Sequence, residues 1–90
     1  MLLETPYDMA LSAAKRFRNL RKARKITLKK LSESSGVPYS TIRRFESTGE
    51  ISFVSFVKIT SAMGEDRQIT GLFEDITPVS IEEIIRGNNQ

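Results

Sequence analysis

Residues 27–49 read TLKKLSESSGVPYSTIRRFESTG, and the reading of this stretch decides the fold. Thr27 is placed to cap a short helix whose apolar face is Leu28 and Leu31. Gly36 supplies the left-handed backbone of a tight turn, and Val37 plugs into the core beneath it. Pro38 suits the first turn of a second helix, where a fixed φ is welcome and the missing N–H is not needed. In that helix Ile42 and Phe45 lie three apart and face inward, which leaves Tyr39, Ser40, Arg43 and Arg44 on the outer surface. The pattern is two short helices joined by a turn, the second basic on its outer side.

Working outward, the chain reads as five helices and a tail. Residues 1–7 are expected to form a loose arm, with Pro6 discouraging an early helix. The first helix is expected from Asp8, as N-cap, to Lys25, with Ala13, Phe17, Leu20 and Arg24 along one face. Helix 2 falls at about Leu28 to Ser35 and helix 3 at about Tyr39 to Ser47. Ser52 opens a fourth helix that Gly64 stops after Met63. Its apolar residues exceed one narrow stripe: Phe56, Ile59 and Met63 are assigned to the core, and Phe53, Val54 and Val57 to partial exposure. Arg67 to Phe73 reads as a short fifth helix weakened by Gly71. Thr77-Pro78 breaks the chain, and Ser80 starts a last turn or two with Ile81, Ile84 and Ile85 on one side. The expected organisation is an arm (1–7), one all-α domain (8–75) and a C-terminal extension (76–90).

Composition narrows the function. The 90 residues include no Cys and no His. That removes disulfides, nearly all zinc, haem and iron–sulfur sites, and the commonest general base, so no metal and no cofactor is expected. Acidic residues occur as the doublets Glu65/Asp66, Glu74/Asp75 and Glu82/Glu83, and neighbours on a helix point about 100° apart, so they do not converge on one substrate atom. No enzyme is expected. No apolar run approaches the roughly 18 residues that span a bilayer, and the N-terminus lacks the order of a signal peptide, so a cytoplasmic location without membrane contact is expected.

The net charge of +3 hides a split. Residues 1–46 hold 11 Lys and Arg against 4 Asp and Glu, a balance of +7, whereas residues 47–90 hold 3 against 7, a balance of −4. Nine basic residues and no acid lie between Lys15 and Ser32. One half is suited to a polyanion and the other to something else.

The 27–49 stretch resembles the Cro/C1-type helix-turn-helix, also called lambda repressor-like. That signature runs Thr, then Leu-Ala four and five positions on, then Gly-Val-Ser, then Ile-Ser-x-Ile-Glu-x-Gly. Thr27, Leu31, Gly36, Val37, Ile42, Glu46 and Gly49 stand in register with it. Leu28 stands where the family usually has a phosphate-contacting Gln, Ser32 replaces the usual Ala, and one extra residue separates Glu46 from Gly49. The resemblance implies an all-α, five-helix domain whose second motif helix enters the major groove. It places Tyr39, Ser40, Arg43 and Arg44 in the base-facing slots, with Arg43 best suited to guanine O6 and N7. Thr27, Lys29, Thr41, Ser47 and Thr48 become flanking phosphate contacts. In that family an Arg on helix 1 pairs with the Glu that closes the recognition helix, which puts Arg21 in that slot with Arg24 as understudy and Glu46 as partner. Glu46 is the only acid among the twelve residues from Val37 to Thr48.

The resemblance thus implies a sequence-specific DNA-binding repressor that acts as a homodimer on double-stranded operator DNA. Ile76, Val79, Ile81, Ile84 and Ile85 offer apolar surface for a dimer or partner, as do Phe53, Val54 and Val57. More narrowly, RRFESTGEIS followed by a helix and a short LFED segment is similar to antitoxins of the HipB type. That likeness implies an autoregulated toxin-antitoxin operon, a HipA-like serine/threonine kinase partner and a further small protein. The alternatives are a module that chiefly holds a kinase-type partner, with DNA binding secondary, and a phage-type repressor. An acidic or apolar outer face on helix 3 would favour a protein partner; Arg43 and Arg44 favour DNA.

Overall fold

Thr5 starts the first helix. The structure, a computed structural model, describes residues 4–76. In it α1 spans Pro6–Ala23, α2 Leu28–Ser35, α3 Tyr39–Thr48, α4 Phe53–Ala62 and α5 Asp66–Thr70, and no strand occurs among the described residues. The expected helix start at Asp8 is corrected by a capping box: the Asp8 N–H donates to Thr5 Oγ1 at 3.1 Å, and the Thr5 N–H donates to Asp8 Oδ2 at 3.1 Å. Pro6 occupies the first helical position, where its fixed φ favours the helix instead of breaking it. The arm read over residues 1–7 therefore gives up Pro6 and Tyr7 to α1. At its other end α1 stops at Ala23 rather than Lys25, because Lys25 turns to a φ of 58°.

The buried stripe of α1 is Ala14, Phe17 and Arg21, one position away from the expected Ala13 and with Arg24 outside it. Thr27 caps α2 by accepting the Lys30 N–H at 3.0 Å, and Ser52 caps α4 by accepting the Ser55 N–H at 3.1 Å. Pro38 is the residue before α3, and its carbonyl accepts the N–H groups of Thr41 and Ile42. The fifth helix is shorter than expected: Gly71 ends it, and Phe73 lies at a φ of 57°.

Leu31, Val37, Ile42 and Ile59 fill the core beside Ala14, Phe17, Phe45 and Met63, and Phe56 packs on it half-buried. Each fully buried aliphatic side chain here contributes roughly 1.5–3 kcal/mol relative to exposure. Rings from three helices meet along one side of it: Phe17 of α1 lies 5.4 Å from Phe45 of α3 and 6.3 Å from Phe56 of α4, and Phe45 lies 5.5 Å from Phe56. The Phe17–Phe45 and Phe45–Phe56 contacts are edge-on, the favoured arrangement for aromatic pairs. α3 packs on α1 and α2, while α4 packs on α2 and α5.

Gly49 fixes how closely α3 approaches α1. It ends α3 at a φ of 83°, and a Cβ there would stand 2.7 Å from the Ala10 carbonyl carbon and 2.8 Å from the Leu11 nitrogen. Only glycine allows both the backbone turn and the contact. α3 runs one residue past the expected Ser47, to Thr48, before Gly49 closes it. At the far end of α1, Arg24 Nη1 donates to the Met63 carbonyl at 2.6 Å and Nη2 to Glu65 Oε2 at 3.0 Å, which ties α1 to the close of α4. No described helix is long and apolar enough to cross a membrane.

Candidate nucleic-acid interface

The recognition-type helix α3 divides cleanly. Ile42, Phe45 and Glu46 are buried, and the opposite side presents Tyr39, Ser40, Arg43 and Arg44 to solvent. The inward residues are three and four apart, so the outward ones follow from helical geometry once Ile42 and Phe45 are fixed in the core.

A buried ion pair locks this helix in place. Arg21 Nε donates to Glu46 Oε2 at 2.7 Å and Nη2 to Glu46 Oε1 at 2.9 Å, a bidentate fork. The two side chains retain only 8% and 6% exposure. Arg21 Nη1 also donates to the Ile26 carbonyl at 2.7 Å, so one guanidinium joins α1, the α1–α2 loop and α3. Arg18, half-exposed, stands 4.0 Å from Glu46 Oε1. Arg24, the expected understudy, does not reach Glu46, because it is engaged with Met63 and Glu65 at the end of α4. Glu65 in turn is held below the usual carboxylate range, chiefly by the Arg24 hydrogen bond and then by that from Gln68.

Arg43 and Arg44 sit on opposite flanks of α3. Arg43 lines a small pocket of about 210 Å³ with Arg18, Arg21, Leu28, Glu46 and Ser47, beside the first turn of α2. Arg44 borders the groove walled by Thr41, Gly49, Ile51 and Ser52, and its Nη2 donates to Glu50 Oε2 at 2.6 Å. Among the described residues Arg43 makes no ion pair.

The expected phosphate contacts divide by what their side chains already do. Thr27 Oγ1 caps α2, Ser47 Oγ donates to the Arg43 and Arg44 carbonyls at 3.2 and 3.1 Å, and Thr48 Oγ1 donates to the Arg44 carbonyl at 2.7 Å. Those hydroxyls hold the helix ends. Lys29 is exposed, Thr41 is half-buried, and neither side chain is hydrogen-bonded among the described residues, so both keep their donors for an anion.

Of the residues proposed for a dimer or partner, Phe53, Val54 and Ile76 are exposed at 60%, 64% and 88%, and Val57 is half-buried. Val79, Ile81, Ile84 and Ile85 lie outside the described residues. Among the described residues no cluster of acids has the arrangement to hold a metal ion.

Two residues beside the site were not singled out in the sequence. Arg18 is one turn ahead of Arg21 on the same face, a spacing that carries a signal. Glu50 lies six residues beyond Arg44, in the α3–α4 loop, and only the folded loop brings the two together.

A protein-family model described as helix-turn-helix matches residues 17–70. The match starts at the core ring of Phe17 and runs through α2, α3, α4 and α5. No curated protein and no solved structure matches the chain.

Proposed function

The chain belongs to this Cro/C1-type helix-turn-helix family of DNA-binding regulators, and from that premise we propose that it is a sequence-specific, homodimeric repressor that reads operator DNA with Tyr39, Ser40, Arg43 and Arg44. The observation that carries the reading is the two-sided α3: its inner face is held by Ile42, Phe45 and the Arg21–Glu46 fork, and its outer face offers two arginines with planar, bidentate donors. Lys29 and Thr41 flank it as phosphate contacts, with Thr27, Ser47 and Thr48 shaping the helix ends that present them. A single domain reads about half a site; a two-fold dimer reads two half-sites about 34 Å apart or a multiple of that.

The same reading extends to the operon. RRFESTGEIS followed by α4 and LFED supports an antitoxin and autorepressor of the HipB type, partnered by a HipA-like serine/threonine kinase and a further small protein. The exposed Phe53 and Val54 on α4, in the acidic half of the chain, suit a protein partner that leaves the basic face to DNA. They also favour a second reading, in which holding that partner is the main task.

Binding titrations on a cognate and a scrambled duplex test the assignment. Arg43→Ala should weaken the cognate complex by about 1–3 kcal/mol and relax the preference at one base position, while Lys29→Ala should weaken both duplexes alike. An Arg43→Ala protein that keeps its full preference refutes base reading by Arg43. Adding a kinase encoded beside this chain should give a complex with operator that migrates more slowly than either binary one; competition between kinase and operator would refute the two-surface arrangement.

A further inference from the structure

Glu50 is an acid placed where a DNA-reading surface is least served by one. Its carboxylate faces Arg44 at 2.6 Å, and the two side chains remain 50% and 68% exposed. An ion pair that open to water adds little to stability, and a negative charge beside a phosphate backbone opposes binding. The pair is nevertheless built with care in the loop. Glu50 donates its backbone N–H to Thr48 Oγ1 at 3.1 Å, and Thr48 Oγ1 donates to the Arg44 carbonyl at 2.7 Å. Glu50 then returns to the Arg44 guanidinium, which closes a ring of contacts from the Arg44 backbone to the Arg44 side chain. Between Thr48 and Glu50 stands Gly49, pressed against the α1 backbone, so the loop that carries the carboxylate is anchored to the scaffold.

We propose that Glu50 is a positioning residue for Arg44: it holds the guanidinium in one orientation before DNA arrives and leaves the remaining donors free for a guanine edge. This rests on the reading of α3 as the base-reading helix. A free arginine loses much rotamer freedom when it docks, whereas a tethered one has already lost part of it, so tethering strengthens the specific contact and narrows the geometry it accepts. A guanidinium has five N–H donors, and one bond to Glu50 still leaves an edge for O6 and N7. The neighbouring Arg43 lacks such a tether among the described residues, so the two adjacent arginines are set for different tolerance of the bases beneath them.

Charge and positioning predict opposite signs, which makes the test decisive. Base preferences are selected from a randomised duplex pool for the unaltered protein, Glu50→Ala, Glu50→Gln, Arg44→Ala and the Glu50→Ala/Arg44→Ala double variant, and affinities are titrated on the selected and a scrambled duplex. Glu50→Ala is expected to bind scrambled DNA more tightly yet to lose roughly tenfold of the preference at the one base position that Arg44→Ala also relaxes. Glu50→Gln, which keeps an acceptor for Arg44, is expected to retain part of that preference, and the double variant to lose no more than Arg44→Ala alone. Thermal melts of the Glu50 variants are expected to match the unaltered protein. If Glu50→Ala tightens all duplexes by one factor with an unchanged profile, the carboxylate is only a charge and the proposal is overturned. A profile altered at a base that Arg44→Ala leaves alone overturns it too, since Glu50 then contacts that base itself. An unaltered protein without any base preference refutes the parent reading of α3, a failure distinct from either of these.

Discussion

Replacing Gly49 by alanine should damage the protein more than the same change at Gly36, although both glycines end a helix with nearly equal backbone angles. Their φ values are 83° and 77°. Each alanine therefore meets the same left-handed penalty, about 1–2 kcal/mol, offset by about 0.4–1 kcal/mol from the stiffer unfolded chain. Only position 49 adds a collision: its Cβ would lie 2.7 Å and 2.8 Å from backbone atoms of Ala10 and Leu11, whereas nothing lies within 4 Å of a Cβ at position 36. Backbone atoms of a helix cannot rotate aside, so α1 and the end of α3 must separate, at an overpacking cost of about 1–3 kcal/mol. The expected losses are about 1 kcal/mol for Gly36→Ala and about 2–4 kcal/mol for Gly49→Ala. In a domain of this size that difference is a gap of roughly 5–20 °C between the two melting temperatures. Urea unfolding and thermal melts of both variants measure it. Equal losses at the two sites would show that the α1–α3 approach is slack and would refute the argument from close contact.

Four further outcomes can be measured. Arg21→Ala and Glu46→Ala should each cost roughly 3–5 kcal/mol, because each strands a buried charge, and the double variant should cost clearly less than their sum; additive losses in melts would mean the fork carries no energy. Arg18→Ala, which touches the same carboxylate from the exposed side, should cost under about 1 kcal/mol by the same assay. Because Glu65 is held below its ordinary value of 4.5, its contribution to stability is fully present above that value and is lost as pH falls through the lower folded one. The stability advantage over Arg24→Gln should thus be constant near neutral pH and shrink in acid, and an advantage that grows on acidification would contradict the sign. Finally, the full chain is expected to sediment as a dimer and a chain cut after Asp75 as a monomer; an unchanged dimer would move the interface to α4.

Much of the fold was legible because its punctuation is local. Thr27 and Ser52 bond the N–H groups three residues on, and Gly36 turns left-handed, all within one turn of chain. The Arg21–Glu46 contact, which joins residues 25 apart, followed from the family resemblance; composition alone marks only Glu46, the lone acid between Val37 and Thr48. What escaped was of three kinds. Pro6 taken alone discourages a helix, whereas Thr5, Pro6 and Asp8 act together as a capped first turn. Ala13 and Ala14 are identical in hydropathy, so periodicity alone does not say which one meets the core. The approach of Gly49 to α1 and the Arg44–Glu50 bond depend on how the loop after α3 lies in space, and no spacing rule within a helix encodes that.

The three-ring contact of Phe17, Phe45 and Phe56 has a bearing on how such a protein could change its target. The rings, with Ile42 and Glu46, hold α3 from behind and use none of the outward positions. On the proposed reading of α3, residues 39, 40, 43 and 44 could thus be exchanged for those that read another operator while the mounting stays untouched. Stability and address would then be inherited separately, along opposite edges of one ten-residue helix. A lineage built this way can drift to new operators by few substitutions without first passing through an unfolded ancestor.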